Sequence, residues 1–462
     1  MHIGIDFGTT HTTAAFYDGE NIRFLPLDAA NRDPHLLRSM LYITKEQETV
    51  LGLDAVQAYL RDNTGRLVRF EEKFVGTITN MVARTAASRG PTDPDGPIVI
   101  VQDVWVEEDV GALGRLVQSI KTGLRDPAYD GTRIFDRQYS VQELIALILT
   151  EVRQQAEAVL GGPITRVTLG RPVKFANSPE DDAYAEQRLR EAAELAGFES
   201  ISFAKEPVAA ALYYTLNLTE PKRLLVFDFG GGTLDLTVMA ADGRGANGRS
   251  KTDILATQGV LVGGDDMDRA LMRGKVAQYF GAGSTIDRQG HPFPEHMVSL
   301  LEQWQTIPEL SKADNLPIIR RAALYGNNPE AFTALECLAL KNYGFSLFEH
   351  IEQSKRQLST VEETQMRMNA DEIQLDLPIT RREFQTYILD ELALVQQGIQ
   401  EVLRKAALTP AEIDVVVTTG GSSLIPIFQN MLRRRFPDAE MTHSDTFGSV
   451  AAGLAILAQQ AS

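Results

Sequence analysis

The chain has 462 residues, 44% of them hydrophobic and 23% charged, with 62 acidic against 45 basic side chains and a formal net charge of −17. That length exceeds one ordinary core and suits two domains with large interiors. A surface this acidic repels nucleic-acid phosphates and anionic lipid, so nucleic acid and membrane are excluded as bulk partners. A polyanionic ligand would need a local site of backbone N–H groups, metal ions and a few cations.

The N-terminus, Met1-His2-Ile3-Gly4-Ile5-Asp6, enters a strand at once, so no secretion leader is expected. No window approaches the roughly 18 uninterrupted apolar residues of a membrane span, so a cytoplasmic location is expected. This first strand ends in Asp6-Phe7-Gly8-Thr9-Thr10; a second strand over 12–17 and an Asp18-Gly19 turn follow. Residues from about 45 to 104 break the pattern and include a loop, Pro91-Thr92-Asp93-Pro94-Asp95-Gly96-Pro97. Ser140-Val141-Gln142-Glu143 has the form of a capping box. It opens a helix through Leu144, Ile145, Ile148 and Val152 that stops at Gly161-Gly162-Pro163. A strand over 166–169, a polar helix over 179–195 and a short strand ending at Glu206-Pro207 come next.

The opening then repeats. Leu225-Val226-Phe227-Asp228 runs into Phe229-Gly230-Gly231-Gly232-Thr233, a strand over 234–239 and an Asp242-Gly243 turn. Two hairpins of one design, about 220 residues apart, predict duplicated domains facing each other across a cleft. Residues 285–350 mix Pro, Gly and helical runs, a helical elaboration on the second half. They include Cys337, the single cysteine, which sits in an apolar helical stretch and reads as core. One cysteine excludes an internal disulfide framework. A helix over 382–406, a strand over 413–417, the turn Thr419-Gly420-Gly421-Ser422 and a final helix over 448–459 complete the chain.

A strand-terminal Asp beside a Gly/Thr turn has a specific use. Glycines let consecutive backbone N–H groups converge on phosphate oxygens, and threonine hydroxyls add neutral donors. The Asp, an anion like its ligand, must act through Mg²⁺ and its waters. One such hairpin alone is more often an ordinary tight turn. The pair, together with the segment 259–268 and Gly420-Gly421-Ser422, points to two loops gripping phosphates from opposite sides.

At these residues the chain resembles the nucleotide-binding half of DnaK-type heat-shock chaperones. The loop at Asp6 resembles their first phosphate signature, and Asp228 to Asp235 the second. Ala204-Lys205-Glu206-Pro207-Val208-Ala209-Ala210-Ala211, Val262-Gly263-Gly264-Asp265-Asp266-Met267-Asp268, Glu352-Gln353-Ser354-Lys355-Arg356-Gln357-Leu358-Ser359, Ile379-Thr380-Arg381 and Gly420-Gly421-Ser422-Ser423-Leu424-Ile425-Pro426 follow in the family's order. The resemblance implies an α/β, actin-like ATPase fold: two duplicated βββαβα lobes, 1–222 and 223–462, flanking a nucleotide cleft, with helical insertions. It implies ATP or ADP with Mg²⁺ flanked by Asp6 and Asp228, and Asp235 holding a monovalent cation such as K⁺. Gly8, Thr9, Thr10, Gly230, Gly231, Gly232 and Thr233 would contact phosphates, with Glu206, Asp228 and Thr233 serving catalysis. Gly263, Gly264, Asp265, Glu352, Lys355, Arg356, Ser359, Gly420, Gly421, Ser422 and Leu424 would hold the nucleoside. Glu352, Lys355 and Ser359 fall on one helical face, which suits a ribose edge.

Lys121, in Ser119-Ile120-Lys121-Thr122-Gly123-Leu124, is the better match for the family's phosphate-facing lysine; Lys73 competes. Leu424 stands where the family usually has an arginine stacked on adenine. The resemblance to the short, ATPase-domain-only relatives of the YegD type leads to the expectation that no acidic-hydrophobic linker or β-sandwich peptide-binding region belongs to this protein. The expectation is a slow ATP-hydrolysing switch that meets protein partners or clients on its lobe surfaces. A filament-forming actin-like ATPase and a sugar or acetate kinase of the same superfold are the rivals. Light scattering with ATP separates the first, and an acceptor screen the second.

Overall fold

A computed structural model describes residues 1–82, 98–176, 178–215, 218, 220–242, 252–443 and 448–460. The expected loop at 91–97 and Gly243 of the second Asp-Gly turn lie outside the described residues.

Strands β1 (His2–Phe7), β2 (His11–Tyr17), β3 (Ile22–Phe24), β4 (Arg166–Arg171) and β5 (Ser200–Lys205) form one sheet in the order β5-β4-β1-β2-β3. Strands β6 (Lys222–Phe229), β7 (Leu234–Ala241), β8 (Thr252–Val260), β9 (Val415–Thr419) and β10 (Glu440–His443) form a second, β10-β9-β6-β7-β8. The match extends to direction: β1, β4 and β5 run parallel, as do β6, β9 and β10. Both hairpins are antiparallel, with Asp6 opposite Thr13 and Asp228 opposite Asp235. The fold is the α/β, actin-like ATPase fold, carried by two copies of one sheet.

The parallel strands read as near-continuous apolar runs because helices cover them. Helix α1 (Val141–Leu160) is capped as predicted: the Glu143 N–H donates to Ser140 Oγ at 3.1 Å, and the Ser140 N–H to Glu143 Oε2 at 2.8 Å. Helix α2 (Pro179–Leu195) starts on Ser178 with proline in its first turn. Ile145, Ile148 and Leu149 of α1 and Leu189 of α2 join Ile3, Ile5 and Val167 in one core.

Helix α3 (Glu206–Thr215) and the final helix α8 (Ser449–Gln460) lie between the sheets. There Ala209, Ala210 and Leu454 share a core with Leu224, Val226, Val415 and Val417. Only a glycine fits at the crossing, since a Cβ on Gly453 would stand 1.9 Å from the Ala209 carbonyl oxygen. The C-terminal helix thus touches the first sheet, although it follows the second in the chain.

Helices α4 (Gly264–Leu271), α5 (Gly344–Leu358), α6 (Leu389–Ala406) and α7 (Pro426–Arg435) surround the second sheet. Its aromatic floor includes Phe229 and Phe428, edge to face at 4.9 Å, an arrangement worth roughly 0.5–1.5 kcal/mol beyond burial. Within 285–350, Leu301, Ile307, Leu310 and Phe332 belong to this same core, as does buried Cys337.

The two segments that interrupt the alternation meet each other. Tyr59, on the helix Gly52–Asn63, sets its ring edge against Phe345 at 5.2 Å and Trp304 at 5.7 Å. Asn342 Nδ2 donates to Tyr59 Oη and to the Asn63 carbonyl.

Several boundaries differ from expectation. The helix over 382–406 is two, Arg381–Tyr387 and α6, because buried Ile388 leaves helical geometry (φ −103°, ψ 24°). This bend keeps both Phe384 and Val395 on the core. The strand over 413–417 becomes Val415–Thr419, and β5 ends at Lys205, so that Glu206 opens α3.

Candidate functional site

Parallel strands present their C-terminal ends as a natural ligand crevice. Here the ends of β1 and β6 face one cleft of about 1080 Å³, at the upper end of the roughly 300–1,000 Å³ common for ligand pockets. Every sequence-predicted site residue lines it except Gly263, which sits one residue back at the start of α4.

The two Gly/Thr turns touch. A Cβ on Gly231 would stand 2.3 Å from Thr10 Cγ2, so a side chain there would force the Thr10 methyl aside. Each turn is braced from outside its own hairpin. Ser39 Oγ donates to the Gly8 carbonyl at 2.9 Å, and the Ser39 N–H to the Thr10 carbonyl at 2.9 Å. Opposite, the Gly230 carbonyl accepts from Ser422 Oγ at 2.9 Å and from the Gly264 N–H at 3.1 Å. The Gly231 carbonyl accepts from the Asp265 N–H at 2.9 Å. Ser422 and the start of α4 therefore hold the second loop in shape.

At the cleft floor Lys121 Nζ donates to Glu206 Oε1 at 2.7 Å, both side chains nearly buried. Lys73 instead pairs with Glu108 and Asp136, outside the cleft lining. Burial, then Glu206, pushes the Asp6 carboxyl up to about 7, against the pull of Lys121. Asp235 is likewise pushed up to about 7 by burial and then Glu206. Asp228 is raised too, by burial and by Glu206, Asp235 and Asp6 in turn. Thr233 Oγ1 donates to Asp235 Oδ2 at 3.4 Å.

Four carboxylates thus gather around Lys121, with Arg125 acting on Asp235 from further off. The group is short of positive charge. Its hard oxygen donors are the chemistry that suits Mg²⁺. Among the described residues, the one group of three or more His, Cys, Asp and Glu ligand atoms within 4.8 Å of one another is that of Cys337, Asp371 and Glu372. The wider spacing of the cleft carboxylates fits an ion that keeps its waters. The residues present fit the group.

Residues expected to hold a nucleoside are already engaged with other side chains and backbone. Lys355 Nζ donates to Asp268 Oδ2 at 2.6 Å and to the Gly264 carbonyl at 3.0 Å. Arg356 pairs with Glu352 one turn back. Burial raises the Glu352 carboxyl, but Arg356, Lys355 and Arg38 outweigh it and hold it below its ordinary value. Ser359 lies at the end of α5, and Leu424, 36% exposed, at the cleft edge.

Sequence reasoning missed Arg38, Ser39 and Glu349. Arg38 Nη1 meets Glu349 Oε1 at 3.1 Å, across the cleft from strand Leu37–Arg38 to α5. None of the three lies in a recognisable motif, and each is defined by a partner distant in sequence.

A family model described as "Hsp70 protein" matches residues 105–305 and 341–461. The chain belongs to the Hsp70 family. "Chaperone protein DnaK" from Thermotoga petrophila, Thermotoga sp. (strain RQ2) and Thermotoga maritima is in each case 27% identical over 336 residues. The alignment takes in 71% of this chain and 46% of each relative, so the Hsp70 family chain matches about half the length of these curated proteins. Among the described residues no helix is long and apolar enough to cross a membrane.

Proposed function

We propose that the chain binds Mg·ATP and Mg·ADP in this cleft, hydrolyses ATP slowly and uses the bound nucleotide to set cleft closure. The observation that carries the reading is the pair of Gly/Thr turns, one from each sheet copy, meeting at Thr10 and Gly231 beside the Lys121–Glu206 pair.

In this reading Gly8 to Thr10 and Gly230 to Thr233 present backbone N–H groups and hydroxyls to the β- and γ-phosphates. Bound Mg²⁺ would supply charge neutralisation at the phosphates, with Asp6 and Asp228 holding it through water and Asp235 keeping K⁺ nearby. Glu206 gives one oxygen to Lys121; Oε2, without a protein partner among the described residues, orients the attacking water together with Asp228. Lys121 sets its ammonium against charge developing on the γ-phosphate, and Thr233 adds a neutral donor. Neither carboxylate need be a strong base, since phosphoryl transfer rests on positioning and charge stabilisation.

The phosphates join the two halves, so loss of the γ-phosphate loosens that link. Moving closure from 1:9 to 9:1 requires a differential affinity of about 2.6 kcal/mol. That is within reach of a few charge-assisted contacts. The readout is a chaperone-type protein partner on the lobe surfaces, with residues 285–350 as the reading surface.

Single-turnover hydrolysis tests the chemistry. Asp228→Asn should slow it on the order of 10²-fold or more, in line with the loss of one positioned electrostatic group, while ATP binding survives. Wild-type rates in both Asp228→Asn and Glu206→Gln would remove the catalytic assignment.

A further inference from the structure

Lys121 lies on a short 3₁₀ helix, Ile120–Arg125, entered through Ser119 at φ 55°. That conformation is costly for a residue with a side chain. A 3₁₀ turn of this length also leaves its last carbonyls without partners of its own. Something outside the segment must hold it. Ile120 and Leu124, 6% and 0% exposed, anchor one side in the core, which leaves Lys121 to the cleft.

The other anchor is Arg188. Its side chain on α2 is among the largest fully buried in the molecule, 1% exposed, and it meets no carboxylate among the described residues. Nη1 donates to the carbonyls of Gly123 at 3.0 Å, Asp126 at 3.2 Å and Leu124 at 3.3 Å, and Nη2 to that of Tyr129 at 2.7 Å. One guanidinium thus faces four carbonyls in and just after the segment that carries Lys121, the two Nη1 hydrogens being shared among three of them. The two Nη groups spread their donors across that span, with buried Nε left without a partner among the described residues, whereas an ammonium offers three donors at one point.

The chain that leaves α2 leads through β5 directly to Glu206. Arg188 therefore ties the Lys121 segment to the same scaffold that delivers Lys121's carboxylate partner. We propose that Arg188 is a positioning residue for Lys121: it fixes the 3₁₀ turn so that Nζ faces the phosphates at the reach set by Glu206. The inference rests on the reading of Lys121 as the phosphate-facing lysine.

The test compares Arg188→Lys and Arg188→Met with wild type, each also in a Lys121→Ala background. Single-turnover hydrolysis should fall about tenfold in Arg188→Met and less in Arg188→Lys, as expected for loosened placement of a catalytic group. The Kd for Mg·ATP should change by no more than about threefold, so the loss appears in rate rather than binding. With Lys121→Ala already present, Arg188→Met should lower hydrolysis no further. Hydrogen exchange of amides 119–129 should quicken in both backgrounds, and by less in Arg188→Lys, the variant retained if Arg188→Met does not fold. Additive losses of hydrolysis, or unchanged exchange over 119–129, would overturn the proposal. A wild-type chain that hydrolyses no ATP would instead defeat the proposed function, and the exchange data would still report whether Arg188 holds the turn.

Discussion

Arg38 and Glu349, 311 residues apart in the chain, meet at 3.1 Å across the cleft. Glu352 stands 3.6 Å from the same guanidinium, so one arginine of the first half faces two carboxylates of α5. Burial of the arginine side chain to 11% exposure keeps solvent from screening the pair fully.

This pair should slow nucleotide release. Arg38→Met and Glu349→Gln should each speed ADP dissociation several-fold, corresponding to about 1–2 kcal/mol for a charge-assisted bond at a half-buried site. The double variant should resemble the single ones, because both substitutions remove one interaction. Stopped-flow release of a fluorescent ADP analogue gives the rates; additive effects would show the two residues acting separately.

Much of the site was legible locally. The hairpins at Asp6 and Asp228 announce themselves because the phosphate contact proposed for them would demand a short, contiguous Gly/Thr run. The Ser140 cap and the Gly161 stop are equally local, since a helix end is satisfied within a few residues. The break at Ile388 was not, because continued apolar spacing conceals a bend made to fit a core. Ser39, Arg38 and Arg188 left no trace in the pattern. Their roles come from carbonyls and carboxylates brought to them by the fold, and a lone Ser or Arg looks the same on a surface. The competition between Lys121 and Lys73 could be ordered in sequence, but it is geometry that puts Lys121 beside Glu206 and Lys73 outside the cleft lining.

Base selectivity should be poor. Leu424 at the cleft edge carries no polar group with which to read the rim of a purine. An apolar contact separates similar ligands by only roughly 10–200-fold, whereas a hydrogen-bonding pocket reaches 10⁴ or more. Competition binding should therefore show ATP preferred to GTP by no more than about 200-fold, and Leu424→Arg should widen the gap. Strict preference for ATP in the wild type would contradict this.

Acid sensitivity should reside partly at the start of the helix Arg381–Tyr387. Glu383 accepts from Lys275 Nζ at 2.8 Å and from the Thr380 N–H at 2.9 Å. The Lys275 hydrogen bond first, and then that of Thr380, hold its carboxyl down from 4.5 to about 2. A depressed folded-state value stabilises the fold above the unfolded value, and this contribution is lost as pH falls from 4.5 toward about 2. The Tm gap between wild type and Glu383→Gln should narrow as pH drops from about 5 to about 3. A gap independent of pH would mean the carboxylate's charge contributes nothing.

The two turns meeting at Thr10 and Gly231 are proposed to form a site for Mg·ATP between the sheet copies. Titration calorimetry of the wild-type chain with ATP, with and without Mg²⁺, tests it most directly. Binding should be present with Mg²⁺ and much weaker without it. It should raise Tm, because a ligand that binds only the native state stabilises it. Gly231→Ala, which forces a methyl against Thr10, should abolish or severely weaken the binding. An absence of Mg-dependent ATP binding at millimolar concentrations, or full affinity in Gly231→Ala, would contradict the account.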